Sequence, residues 1–91
     1  MIEKDFIVSN RLGLHARPAS LFVKTTCKFK SSIKIKKDGS EIDAKSIMGL
    51  LMLAAGPGST LTIVADGPDE ADAIKALDDL FLRHFDDDNG D

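Results

Sequence analysis

The residues of this chain best suited to chemistry are a histidine and an arginine that stand close together near the N-terminus. They lie in the stretch Gly13-Leu14-His15-Ala16-Arg17-Pro18-Ala19. Histidine is a competent covalent nucleophile, and the planar guanidinium of arginine is suited to binding phosphate oxygens. The pair is therefore a candidate for a site at which His15 accepts a phosphoryl group and Arg17 helps to hold it.

The next residues along the chain predict the helix that would position this pair. A helix can begin near Ala16, and Pro18 fits its first turn, where a missing N–H costs nothing. Free amides at a helix start attract an anion, and their partial positive charge favours the neutral imidazole of His15. The alternative is an ordinary surface histidine. Helical spacing predicts that the buried side consists of Ala19, Phe22, Val23, Thr26 and Cys27.

A second candidate segment lies near the middle of the chain, Lys45-Ser46-Ile47-Met48-Gly49. Ser46 suits the N-cap of a short helix over 47–53, which is apolar almost all the way round. Since a surface helix needs only one apolar stripe, Leu50 and Leu53 suffice for the core. Three residues remain as candidates for an exposed docking patch: Ile47, Met48 and Leu51. The alternative is a helix buried between two surfaces.

The remaining segments predict the order βαββαβα, a two-layer α/β arrangement. Strands are expected over 2–9, 32–37, 40–44 and 60–65, with Asp38-Gly39 as a two-residue hairpin turn. A last helix should start near Asp69, with His84 near its C-terminal end as a surface residue. Its predicted buried stripe is Ala71, Ile74, Leu77, Phe81 and Phe85.

Length and composition limit the possible functions. A chain of 91 residues is expected to form one domain, 1–91, with a frayed acidic tail over 86–91. The net charge of −3 disfavours nucleic acid as a partner, and the single cysteine, Cys27, cannot form an internal disulfide. The longest apolar stretch, 47–55, is short of the ~20 residues of a membrane span. The lone cysteine and the lack of a membrane span predict a cytoplasmic protein. Neither metal-ligand spacing nor a nucleotide loop is visible, so we expect no cofactor and no metal.

The two segments together resemble the motifs of the HPr family, the small phosphocarriers of the phosphoenolpyruvate-dependent phosphotransferase system. Gly13-Leu14-His15-Ala16-Arg17-Pro18-Ala19 is similar to the family's phosphorylation site, and Lys45-Ser46-Ile47-Met48-Gly49 to its regulatory motif. The similarity runs from Phe6 to about Phe85. It implies an HPr-like open-faced β-sandwich, with a four-stranded antiparallel sheet covered by three helices on one face.

The resemblance also implies roles and partners. His15 would carry the phosphoryl group on Nδ1, taken from enzyme I and passed to enzyme IIA proteins or domains, with Arg17 stabilising the phosphate. Ser46 would be phosphorylated by HPr kinase/phosphorylase. The protein is expected to be a monomer. The residues expected to bind partners are Ala16, Ser20, Lys24, Ile47, Met48 and Leu51.

Three alternatives stay open. The stretches 10–15, 50–53 and 85–88 resemble the nitrogen-related branch, NPr, which regulates and transports no sugar. A pure binding module would act through Ser46 alone, although the presence of His15 argues against that as the sole role. A phosphohistidine phosphatase would need a second catalytic group, and the sequence offers no candidate.

Overall fold

The computed structural model describes residues 1–8, 16–53 and 56–83. Their strands and helices come in the predicted order. The strands are β1 (Ile2–Ile7), β2 (Ser32–Lys37), β3 (Ser40–Asp43) and β4 (Thr60–Asp66), and the helices are α1 (Ala16–Thr26), α2 (Ile47–Leu53) and α3 (Glu70–Leu82).

The strands form one antiparallel sheet in the order β1-β4-β2-β3. Alternating apolar side chains of each strand point to the same face, as Phe6, Ile33 and Ile35 show by their burial. Helices α1, α2 and α3 cover that face, and the opposite face carries polar and charged residues. The open-faced β-sandwich expected from the sequence is thereby confirmed.

The turn between β2 and β3 forms as predicted. Asp38 and Gly39 have φ angles of 50° and 84°, and Lys37 pairs with Ser40 across the turn. Two successive positive φ angles define a type I′ turn, whose twist matches that of the flanking strands. The local sequence is therefore sufficient to explain this hairpin.

The core lies between the sheet and the helices. Helix α1 contributes Phe22, α2 contributes Leu50 and α3 contributes Leu77, each with no exposed surface. Phe81 joins helices to sheet, because its ring centroid lies 4.8 Å from that of Phe6 and 6.1 Å from that of Phe22. Through these ring contacts α3 packs against both β1 and α1.

Two details of the helix predictions are wrong. Cys27 is exposed, because α1 ends at Thr26 and Cys27 lies in the turn beyond it. Ala71 is exposed because it lies beside the buried stripe of α3 and not on it, whereas Ala73 and Leu80 lie on that stripe and are buried. Phe85, His84 and the tail 86–91 lie outside the described residues.

A carboxylate joins the loop after α1 to the start of α3. Asp69 accepts hydrogen bonds from the backbone amides of Lys30 and Ser31, both at 2.9 Å, and from the Ser31 hydroxyl. The hydroxyl contributes most, and together these donors lower the pKa of Asp69 to about 2. Gly67 is required beside them, because a Cβ there would lie 2.6 Å from the Ser31 Cα.

Candidate functional site

The central residue predicted from the sequence, His15, lies outside the described residues, as do Gly13 and Leu14. Its role therefore stays a prediction. The structure describes the helix that comes directly after His15. Ala16 is the first residue of α1, although its side chain is also outside the described part.

The first turn of α1 places Arg17 where the sequence predicts it. Arg17 is the second residue of the helix, and its side chain is exposed. Pro18 is buried in the same turn, where its nitrogen would have no intrahelical acceptor in any case. The burial of Pro18 anchors the turn and leaves Arg17 directed away from the core. A guanidinium at a helix N-terminus is suited to binding an anion held by the same amides.

The two further α1 residues predicted to bind partners share the exposed side of Arg17. Ser20 and Lys24 are both exposed, at three and seven positions after Arg17. Residues at this spacing lie on one face of an α-helix. Helix α1 thus presents a polar line with a cation at each end, and its other side supplies Phe22 to the core.

Helix α2 exposes the apolar patch that the sequence predicts, and the patch extends further. The exposed fractions are 41% for Ile47, 66% for Met48 and 38% for Leu51. Met52 is 78% exposed and was missed, although its position four residues after Met48 places it on the same side. Leu50 is buried and Leu53 packs against the core, as expected. We call Ile47, Met48, Leu51 and Met52 the α2 patch.

Ser46 caps α2 as predicted. Its hydroxyl oxygen accepts a hydrogen bond from the Gly49 amide at 3.1 Å, and its carbonyl accepts one from the Leu50 amide at 3.1 Å. The side chain is half-buried, so part of it reaches solvent at the edge of the α2 patch. The residue is therefore structural in the free protein and partly exposed.

The helices that include Arg17 and Met48 lie in one layer of the structure. Helices α1 and α2 pack against each other on the same face of the sheet. The polar line of α1 and the α2 patch consequently belong to adjacent elements, which we call the two-helix surface. Beside Met52 a groove of about 260 Å³ runs toward the β2–β3 hairpin, with Ile42 and Leu53 among its lining residues.

Within residues 1–8, 16–53 and 56–83, no three His, Cys, Asp or Glu side chains converge on a possible metal position. Among the described residues, no helix combines the length and the apolar character that crossing a membrane requires.

The chain matches a family model described as the PTS HPr component phosphorylation site, over residues 2–82. Two curated relatives show how extensive the similarity is. The phosphocarrier protein HPr of Cupriavidus necator is 46% identical over 85 residues, which covers 93% of this chain and 96% of that protein. The HPr-like protein Crh of Halalkalibacterium halodurans is 52% identical over 77 residues, covering 85% of this chain and 92% of that protein.

Comparison with a solved structure shows that the similarity extends to the fold. The crystal structure of HPr from Thermoanaerobacter tengcongensis aligns with a TM-score of 0.92 at 46% identity. The alignment covers 94% of this chain and 97% of that chain. The chain is therefore similar to HPr proteins both in sequence and in the arrangement of its strands and helices.

Proposed function

Because the chain belongs to the HPr family of phosphocarrier proteins, we propose that His15 takes a phosphoryl group from phosphorylated enzyme I and passes it to an enzyme IIA protein or domain. The family match over residues 2–82 is the observation that carries this proposal. The exposed Arg17 in the first turn of α1 supports it, because that position suits a group that binds phosphate oxygens.

In the proposed transfer, the Nδ1 lone pair of His15 attacks the phosphorus of the donor phosphohistidine. The P–N bond to the donor breaks, its electron pair returns to the donor imidazole, and a new P–N bond forms at His15. The group leaves toward enzyme IIA by the same exchange. No metal is needed at His15, because the phosphoryl group arrives activated and the task is positioning and charge stabilisation. The protein is a stoichiometric carrier and turns over no substrate of its own.

The two-helix surface is the proposed docking site for both partners. It combines an apolar centre on α2 with the cations Arg17 and Lys24 on α1, and Ala16 and Ser20 lie on the same helix. A complementary partner would offer an apolar depression with carboxylates around it. One surface must serve donor and acceptor in turn, which requires each complex to be short-lived.

Ser46 is the proposed regulatory site, phosphorylated by HPr kinase/phosphorylase. A phosphate there is compatible with α2, because a helix N-terminus favours negative charge. It would also place about two negative charges beside the α2 patch and repel an acidic partner face. The half-buried position of Ser46, which leaves part of the residue at the surface, supports this second role.

The cellular setting is proposed on the same family assignment. We propose one HPr domain over 1–91 that works in the cytoplasm as a monomer, without nucleic acid or cofactor. Acceptors of the sugar-transporting and nitrogen-related branches both fit the carrier chemistry. Offering the phosphorylated protein separately to a sugar-type and a nitrogen-type enzyme IIA distinguishes them, because the true acceptor discharges it faster.

The deciding experiment incubates the pure protein with enzyme I, Mg²⁺ and phosphoenolpyruvate. We expect an acid-labile phosphoprotein that is absent in His15→Ala and retained in Ser46→Ala. A wild-type protein that gains no phosphoryl group would end the proposal. For Ser46, incubation with HPr kinase and ATP should give an acid-stable phosphoserine that is lost in Ser46→Ala. An unmodified Ser46 would remove the regulatory role alone.

A further inference from the structure

Two hydrogen bonds join the C-terminal end of α1 to the residues just before α2. The hydroxyl of Thr26, the last residue of α1, donates to the Ala44 carbonyl at 2.9 Å. The ammonium of Lys45 donates to the Phe29 carbonyl at 2.7 Å. Ala44 and Lys45 immediately precede Ser46. We call these four residues, Thr26, Phe29, Ala44 and Lys45, the interhelix clasp.

The Thr26 hydroxyl is too deeply buried to be an incidental surface group. Thr26 and Ala44 both have no exposed surface, so water cannot readily replace the bond between them. The Val23 carbonyl, one turn back in α1, is a second acceptor at 3.1 Å, so the single hydroxyl proton is shared between the two carbonyls, with the shorter distance to Ala44. A buried helix position usually carries an apolar side chain, and valine would have nearly the shape of threonine. The hydroxyl at this place therefore points to a role in joining elements.

Lys45 faces α1, in contrast to the exposed lysine on the two-helix surface, Lys24. Its side chain is half-buried, and its ammonium binds a carbonyl in the turn after α1. A hydrogen bond from a charged donor such as an ammonium is stronger than one between neutral groups. Lys45 therefore forms an intramolecular hydrogen bond that joins the turn after α1 to the residues before α2.

The segment held by the clasp determines where α2 begins. On the sheet side, the Ala44 amide donates to the Ile33 carbonyl at 2.9 Å. On the helix side, the clasp supplies the bonds from Thr26 and Lys45. Helix α2 has seven residues and is too short to be stable without tertiary contacts. Its placement beside α1 therefore depends on its packing through Leu50 and on how this segment is anchored.

We propose that Thr26 and Lys45 are positioning residues for partner docking. They fix the α2 patch relative to the polar line of α1, so that a partner meets both helices in one arrangement. This inference rests on the proposed function, in which a single partner contacts the two helices together. Neither residue needs to touch the partner, because each acts through the position of α2.

The test compares Thr26→Val, which removes the hydroxyl and keeps the shape, with Thr26→Ser, which keeps the hydroxyl. With phosphorylated enzyme I as donor, we expect Thr26→Val to raise the KM for this protein roughly two- to tenfold, the factor equivalent to one hydrogen bond. The kcat should stay within about twofold of wild type, and Thr26→Ser should restore the KM. Lys45→Met should raise KM by a similar factor. The assay is run at a temperature at which Thr26→Val is folded. If the variant then has the same KM as the wild-type protein, the proposal is wrong.

Amide hydrogen exchange tests the clasp without any partner. The Gly49 and Leu50 amides, at the start of α2, should exchange roughly two- to tenfold faster in Thr26→Val than in Thr26→Ser. The Ala73 amide, which bonds to the Asp69 carbonyl in α3, is the control and should keep its rate. Unchanged exchange at Gly49 and Leu50 would refute the clasp. If the wild-type protein accepted no phosphoryl group, the proposed function would fail, and this comparison would still decide whether the clasp holds α2.

Discussion

Replacing Leu77 with alanine tests how α3 packs on the sheet, and we expect the free energy of unfolding to fall by about 3 kcal/mol. Leu77 is fully buried in the core. The change removes about three carbon atoms, whose transfer from water is worth about 0.8 kcal/mol each, or about 2.4 kcal/mol together. The cavity left behind adds to this, which places the total within the ~2–5 kcal/mol typical of such substitutions.

Thermal and urea unfolding measure this loss directly. In a chain of this size, 1 kcal/mol changes Tm by about 4–8 °C, so the variant should melt about 12–24 °C lower. Leu82→Ala is the matched control on the same helix, because Leu82 is 73% exposed. Its unfolding free energy should stay within about 0.5 kcal/mol of wild type.

The comparison of the two leucines can refute this packing of α3. If Leu82→Ala destabilises the protein as much as Leu77→Ala, α3 presents a different face to the sheet. A loss under about 1 kcal/mol for Leu77→Ala would have the same meaning. Phosphoryl acceptance at 25 °C should persist in both variants, because neither residue belongs to the two-helix surface.

Three further outcomes are expected from the structure. Asp69→Asn should be less stable than wild type at neutral pH, and the difference should shrink as pH falls from about 4 toward 2 in acid-unfolding curves. The reason is that the pKa of Asp69 is about 2 in the folded protein, below its ordinary value of 3.8. The charged carboxylate therefore stabilises the fold at pH values above 3.8, and this stabilisation is lost as the pH falls through about 2. A difference independent of pH would contradict the bond to the Ser31 hydroxyl. Arg17→Ala should slow phosphoryl transfer about 10- to 100-fold, the range for one hydrogen bond to a charged group, whereas a large fall in Tm would count against its role at the site. Met48→Asp should raise the KM of enzyme I for this protein severalfold with little change in Tm. Ile7 is exposed on β1, and Ile7→Asp should leave that KM unchanged. An equal effect of both substitutions would mean that the α2 patch is not the docking surface.

Features that depend on a few neighbouring residues were predictable. The Asp38-Gly39 turn formed with the expected register, because only certain residues tolerate two positive φ angles in succession. Helix α2 has the predicted bounds, with Ser46 as its cap, since capping involves groups only three residues apart. In the candidate site, the exposed Arg17 and three of the four residues of the α2 patch were also expected, whereas His15 lies outside the described residues.

The sequence did not predict which elements of the fold cover a given residue. A helical period shows that residues share a face, but it does not show where the covering element ends. That is why Cys27 was expected in the core and Met52 was overlooked. The strand order places β4 between β1 and β2, neither of which is adjacent to it along the chain.

The sequence by itself determined the order of strands and helices, the local turns and caps, and the chemical character of the two segments that resemble HPr motifs. The tertiary structure alone decided the contacts between distant residues. The hydroxyl of Thr26 meets a carbonyl 18 residues away, and Asp69 meets Ser31 across 38 residues. The physical reason is that a hydrogen bond is specified by the position of two groups in space, and their positions are set only when the helices pack on the sheet.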